Sequence, residues 1–209
     1  MFQLAHDSLG LSSSNEESLI KVVARIQEGD AAAFTRLYQM YHGRICTYLA
    51  RIVGSAEEGE DLGQETFIKA WQSLPSMHDN LRFEAWFYRV ATNTAIDYLR
   101  GQRLRKIFAG PHQDHAGIEQ ISGGGFELEE RVAEAEYVQL ALRQVSPLYR
   151  ACLLLQIHVG FTQREIAALL NIGEKNISVY VRRGCEQFRQ AYQQLEKGQD
   201  KVRRRRLAQ

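Results

Sequence analysis

The sequence predicts an all-α protein made of two small helical domains joined by a flexible linker. Three observations lead there. Only three prolines occur in 209 residues, so long stretches can run as uninterrupted helix. Apolar residues recur at three- and four-residue intervals, and no alternating strand pattern stands out. Between 107 and 126 the chain loses most large apolar residues and gains Pro111, His112, His115 and Gly123-Gly124-Gly125, the composition of a linker.

Each element has its own punctuation. Residues 1–15 read as a disordered tail. Ser14-Asn15-Glu16-Glu17 has the spacing of a capping box, opening a first helix that Gly29 ends. Asp30 can cap a second helix running to about Val53, with Gly54 as its stop and Phe34, Leu37, Tyr38, Tyr41, Ile45, Tyr48, Leu49 and Ile52 at helical spacing. Ser55-Ala56-Glu57-Glu58 repeats the capping pattern before a third helix closed by Pro75. Leu62, Phe67, Ile68, Ala70 and Trp71 supply its apolar positions, while Asp61, Gln64, Glu65 and Lys69 gather on its polar side. After a polar loop, Ser76 to Asn80, a helix runs from about Arg82 to Arg103. Phe83, Trp86, Phe87, Val90, Thr94 and Tyr98 lie near one face, and Arg82, Arg89, Asn93, Arg100, Arg103, Arg105 and Lys106 make a largely basic complement.

The second half holds four helical segments. Glu127 to Val145 is the first. Ser146 caps the next, with Pro147 at its favourable first position and Gly160 at its end. Thr162-Gln163-Arg164-Glu165 is another capping box, opening a short helix through Leu170. Asn171-Ile172-Gly173 forms a tight turn before a last helix from Glu174 to about Lys197. The organisation is therefore a tail (1–15), a first domain (16–106), an acidic linker (107–126), a second domain (127–197) and a basic tail (198–209).

Hydrophobic residues at 44% and charged residues at 24% are ordinary for a globular chain, with a modest core in each half. The net charge of +1 conceals blocks of opposite sign. Leu81 to Lys106 carries six basic and two acidic residues, Ile107 to Glu136 one basic and seven acidic, and the stretch from Gly198 five basic and one acidic. Such blocks suit a chain that meets different surfaces along its length, as well as ordinary solvated faces. Cys46, Cys152 and Cys185 are far apart, which argues against a zinc module of usual spacing and a disulfide framework and fits a reducing cytoplasm. The opening MFQLAHDSLG lacks the pattern of a secretion signal, and no apolar run is long enough to cross a bilayer. The glycine run does not read as a phosphate loop, since no Gly-Lys-Ser/Thr follows it. His112 and His115 read as polar filler. No acid–base, metal or cofactor constellation is expected from the sequence, and no enzyme.

The short helix, three-residue turn and longer helix after Thr162 make a helix-turn-helix. Ile166, Ala167, Leu170, Ile172, Ile177 and Val181 fit its internal core, with Ala167 small where the helices approach. The second helix would enter the major groove. Lys175, Asn176, Ser178, Val179 and Tyr180 would face base edges, and Arg182 and Arg183 phosphates. The basic helix with Trp86, Phe87 and Tyr88 has the cations and flat rings that single-stranded DNA requires, although rings at helical spacing also read as core.

Three segments in this order carry a family resemblance. EDLGQETFIKAWQSLP resembles the polymerase-binding segment of bacterial sigma factors. FEAWFYRVATNTAIDYLRGQRLRK is similar to the promoter-melting segment of the extracytoplasmic-function class (group 4 of the sigma-70 family). VSPLYRACLLLQIHVGFTQREIAALLNIGEKNISVYVRRGCEQFRQ resembles that class's promoter-reading domain. The resemblance spans about Leu19 to Leu195. It implies a transcription initiation factor that binds core RNA polymerase at its clamp helices and flap, engages promoter DNA and, where one exists, an anti-sigma factor, and has no catalytic site. Asp61, Gln64, Glu65 and Lys69 would dock on the clamp helices. Asn80, Arg82, Arg89, Asn93, Arg100, Arg103, Arg105 and Lys106 would open the −10 element. Thr162, Gln163, Lys175, Asn176, Ser178, Val179, Tyr180, Arg182 and Arg183 would read the −35 element. The linker would thread basic channels of the polymerase.

The chain departs from the family where recognition matters. A Gly-Thr-Val-Lys-Ser-Arg-like run is usual; here it is Lys175-Asn176-Ile177-Ser178-Val179-Tyr180, with Ser178 and Tyr180 in place of the lysine and arginine. Two alternatives stay open: a stand-alone helix-turn-helix regulator, and a sigma-like interaction protein without promoter recognition.

Overall fold

The computed structural model describes residues 13–77, 82–109 and 126–207, with side-chain detail for 19–77, 82–105 and 134–197. Among these residues all regular structure is helical. Eight α-helices follow in order: α1 (Ser13–Gln27), α2 (Ala31–Val53), α3 (Ala56–Ser73), α4 (Phe83–Ala109), α5 (Phe126–Gln144), α6 (Pro147–Leu154), α7 (Gln163–Leu170) and α8 (Glu174–Leu207). A 3₁₀ turn, Leu74–Ser76, follows α3, and a π-turn, Leu155–Val159, continues α6. Residues 1–12, Asn80 and most of the linker, with His112, His115 and the glycine run, lie outside the described residues, whereas 13–15, read as tail, belong to α1.

The caps explain most boundaries. The Asp30 carboxylate accepts from the backbone N–H of Ala32 and Ala33, satisfying two of the donors that a helix start leaves open. Gly54 ends α2 in the left-handed region at φ 89°, a conformation that glycine enters without steric cost. Ser55 accepts from Glu58 N to start α3. Thr162 and Glu165 form the full reciprocal capping box of α7. At α6 the expectation is corrected. The Ser146 side chain makes no capping bond; its backbone N–H instead donates to Gln187 Oε1 of α8 at 3.0 Å. Two helices exceed their expected length: α4 extends six residues past Arg103, and α8 runs beyond Lys197 into the basic tail.

The first half packs α1 to α4 around an aromatic centre. Tyr41 meets Phe83 and Phe87 edge-on, and Phe67 meets Phe87 at 5.1 Å. Each such buried ring contributes roughly 1.5–3 kcal/mol by leaving water. Tyr48, fully buried, satisfies its hydroxyl on Thr92 Oγ1 at 2.7 Å. Helices α2 and α3 approach so closely at Gly59 that an added Cβ would sit 2.6 Å from Ala50 Cα.

The second half packs α5, α6 and α7 on α8. Gly184 lets α8 reach the Tyr149 carbonyl, 3.1 Å from where a Cβ would stand. The sequence suggests two domains on a tether, but the halves also touch. Tyr88 of α4 meets Phe161 edge-on at 5.6 Å, and Gln139 Nε2 of α5 donates to the Ala50 carbonyl of α2 at 2.9 Å.

Candidate nucleic-acid interface

Helix α4 turns one face to the core and the opposite face to solvent. Phe83, Phe87, Tyr88, Ala91 and Ala95 are buried. Arg82, Arg89, Asn93, Arg100, Arg103 and Arg105 are exposed. Positions 82, 89, 93, 100 and 103 recur at whole numbers of helical turns, so most of the cations share one stripe. Arg100 pairs with Asp97 at 3.0 Å, a solvent-exposed contact of small energetic weight. Lys106 lies within α4. Of the three rings Trp86, Phe87 and Tyr88, for which spacing left both stacking and core open, Phe87 and Tyr88 are core, and only the half-buried Trp86 keeps surface on which a base could stack.

On α3, Asp61, Gln64 and Glu65 are exposed together. Lys69 is half-buried. It pairs with Glu65 at 2.7 Å and donates to Thr94 Oγ1 of α4 at 3.1 Å, which ties the acidic surface to the basic helix. Ile68 and Trp71, read from spacing as core positions, are 57% and 39% exposed. They add an apolar strip beside Gln64 and Glu65. Helical periodicity could not separate them from true core, since positions at the margin of an apolar stripe fit both faces.

The helix-turn-helix is built as its spacing suggests. Ile166, Ile177 and Val181 are buried, with Ala167, Leu170 and Ile172 partly buried around them. Leu169, not singled out by the sequence, completes that core at 4% exposure. Asn171 makes the turn at φ 55°, a conformation that Asn tolerates better than most residues. Lys175, Asn176, Ser178, Arg182 and Arg183 stand exposed, Val179 is half-buried, and Gln163 is half-buried at the start of α7. The Thr162 hydroxyl is engaged with Glu165. Tyr180 lies partly buried, its ring 5.1 Å from Tyr149 of α6, and Arg183 donates to the Tyr149 hydroxyl at 3.1 Å. That hydroxyl raises the Arg183 pKa above its ordinary value.

A second surface was not named from the sequence. Val138, Leu142, Leu154, Ile157, Phe188 and Tyr192 line a groove of about 980 Å³ between α5, α6 and α8. Ile157 there is 69% exposed. An apolar groove of this kind suits the apolar face of a partner helix. Its residues come from three separate helices, so no single periodicity reveals it.

Two of the three cysteines, Cys46 and Cys152, are buried. Burial pushes the Cys152 thiol up to about 12. Burial and a hydrogen bond with Glu60 do the same for Cys46. Neither is therefore a ready nucleophile. No described helix is long and apolar enough to cross a membrane.

Comparison with known proteins follows the same division. Residues 37–105 match the family model "Sigma-70 region 2", and residues 135–188 match "Sigma-70, region 4". The chain is similar to the ECF RNA polymerase sigma factor SigW of Bacillus subtilis, 27% identical over 86% of this chain and 100% of that protein. It is 32% identical to the ECF RNA polymerase sigma-E factor of Salmonella typhimurium over 72% of this chain and 81% of the relative. It is 30% identical to the RNA polymerase sigma-H factor of Pseudomonas aeruginosa over 84% and 94%. Among solved structures it resembles the sigma factor RpoE of Bartonella quintana, crystallised with the anti-sigma factor NepR, at TM-score 0.61 and 19% identity over 77% of this chain and 96% of that one. It also resembles CnrH in complex with the cytosolic domain of CnrY, at TM-score 0.55 and 24% identity over 81% and 94%.

Proposed function

This chain belongs to the extracytoplasmic-function class of RNA polymerase sigma factors, and on that premise we propose how its residues divide the work. It directs core RNA polymerase to promoters and initiates transcription there. The first domain, 16–106, holds the polymerase through Asp61, Gln64, Glu65 and Lys69, with Ile68 and Trp71 as apolar neighbours. The same domain opens the −10 element through Asn80, Arg82, Arg89, Asn93, Arg100, Arg103, Arg105 and Lys106. The second domain, 127–197, reads the −35 element through Thr162, Gln163, Lys175, Asn176, Ser178, Val179, Tyr180, Arg182 and Arg183. The acidic linker follows a basic channel of the polymerase, and the tail 198–209 adds phosphate contacts. The apolar groove on α5, α6 and α8 takes a helix of a protein partner, either the polymerase flap or an anti-sigma factor. The chain acts in the cytoplasm and has no catalytic role of its own.

One observation supports this division above the others: most of the exposed cations of α4 form one stripe, and Lys69 joins that helix to the acidic surface of α3. A chain that opens DNA while held on polymerase needs both surfaces on one rigid unit. Run-off transcription with core polymerase tests it. Full activity of wild type, loss with Arg100, Arg103 and Lys106 changed to alanine, and retained polymerase binding by that variant are expected. Transcription by the triple variant at wild-type level would remove α4 from the DNA path. Operator binding by the chain alone, without polymerase, would favour a stand-alone regulator instead.

A further inference from the structure

Between α2 and α3, away from the basic stripe, three different metal-binding side chains converge. His42 and Cys46 stand four residues apart on α2, hence on one face, and Glu60 reaches them from α3. Their donor atoms all lie within 4.8 Å of one another, and His42 Nε2 is 2.7 Å from Glu60 Oε1. From sequence alone no metal constellation is visible, because Glu60 joins the pair only when α3 folds back on α2.

The surroundings hold the donors in place. The His42 ring packs against two aromatic rings, Tyr38 at 4.5 Å and Phe67 at 6.2 Å. Cys46 Sγ fills the space a side chain at residue 63 would take: a Cβ on Gly63 would stand 2.4 Å from it. Cys46 is buried, whereas His42 and Glu60 are half-exposed, so an ion has a route in from solvent. Around a tetrahedral cation with bonds of about 2.0–2.3 Å, donors lie roughly 3.3–3.6 Å apart. The observed spread brackets that spacing, so side-chain adjustments of about 1 Å complete the site.

We propose that His42, Cys46 and Glu60 bind one thiophilic divalent cation, Zn²⁺ by donor type, with a fourth position left to water. One imidazole, one thiolate and one carboxylate suit a borderline cation, whereas Mg²⁺ and Ca²⁺ favour all-oxygen sets. Binding releases the Cys46 proton to solvent and replaces the direct His42–Glu60 contact with two metal bonds, without redox change. An occupied site pins α2 to α3 one residue before Asp61, which makes the hairpin stiffer beside the surface assigned to polymerase. The binding itself rests on the α2–α3 geometry and stands apart from how polymerase is met.

The test uses the full-length, metal-stripped protein, with Co²⁺ as the spectroscopic probe and Zn²⁺ as competitor. One equivalent of Co²⁺ should give a sulfur-to-cobalt charge-transfer band with tetrahedral visible bands, both bleached by Zn²⁺. Cys46→Ser should abolish the charge-transfer band. His42→Ala and Glu60→Gln should each weaken binding by roughly tenfold or more. A Cys152→Ser/Cys185→Ser variant should keep the full spectrum. Circular dichroism reports that each variant is folded. Absence of a thiolate band in wild type overturns the proposal, and so does a band that survives Cys46→Ser or disappears in the Cys152→Ser/Cys185→Ser variant. Binding undiminished in folded His42→Ala would overturn it equally, since the triad would then not be the site.

Discussion

The guanidinium of Arg150, buried near the start of α6, donates to the backbone carbonyl of Ile52 in the last turn of α2. It also donates to the carbonyls of Arg143 and Val145, each at 2.8 Å. Close by, Arg143 donates to the Gly54 carbonyl. Helix ends leave carbonyls without intrahelical partners and carry partial negative charge. Two cations of the second half therefore complete the end of a helix in the first. Burial, with a smaller contribution from Arg143, lowers the Arg150 pKa to about 10, which still leaves it charged at neutral pH.

Arg150→Met should therefore strand buried acceptors in both halves. We expect a loss of about 2–4 kcal/mol in stability, the scale of removing a buried hydrogen-bonded charge. The halves should also separate, seen as a larger radius of gyration by small-angle scattering. Arg150→Lys should recover only part of the loss, since an ammonium cannot reproduce the planar fork. An unchanged melting temperature and radius in Arg150→Met would mean that this contact does not hold the halves together.

A second contact between the halves titrates. His158 Nδ1 lies 2.6 Å from Arg51 Nη1, a bond that the neutral ring can accept and the imidazolium cannot. Burial first, then the charges of Arg51 and Arg44, hold the His158 pKa below its ordinary value of 6.5. The unfolded chain thus binds this proton at a higher pH than the folded one. The contribution is fully present above about pH 6.5 and is lost as pH falls toward and through the lower folded value. Denaturant midpoints between pH 7.5 and 5.5 should fall more steeply in wild type than in His158→Gln. Parallel profiles would show that the ring does not sense the contact.

The exposed acids of α3 give a binding prediction. Glu65→Arg should weaken capture of core polymerase, because the reversed charge would meet a partner surface complementary to an acid. It also removes the ion pair that positions Lys69. Folding should be unaffected, since the pair is exposed and of small worth. Equal recovery of folded mutant and wild type in a pull-down would take Glu65 out of the interface.

Much of this was legible because it is local. Asp30, Gly54 and the Thr162–Glu165 box act within a few residues, so their chemistry is written in sequence order. The stripe on α4 was legible for the same reason: seven-residue spacing alone aligns Arg82 with Arg89 and Asn93 with Arg100. Contacts across the fold were not. Ser146 reads as a cap, yet its backbone partner is Gln187, 41 positions away. Gly59 and Gly63 look unremarkable in a helix until α2 lies against them. Ile68 and Trp71 read as core because α3 has more apolar positions than its neighbours can cover. The His42–Cys46–Glu60 cluster needs the α2–α3 hairpin before it exists at all.

Two positions of α8, the helix proposed to read the −35 element, differ physically. Ser178 is exposed, whereas Tyr180 packs its ring on Tyr149. Ser178→Lys should therefore act on DNA alone. It should shift the −35 preference and strengthen nonspecific binding, with a steeper dependence on salt from the added cation. Its melting temperature should match wild type. Tyr180→Arg should instead cost about 0.5–1.5 kcal/mol from the lost ring pair and free the Tyr149 hydroxyl region where Arg183 is held. A randomised-promoter selection scored separately at the two elements decides, run beside thermal melts of both single variants. The −10 preference should stay constant in each, because α4 lies in the other domain. If Ser178→Lys selects the wild-type −35 sequence with an unchanged salt slope, this face of α8 does not lie in the groove, and the docking register fails.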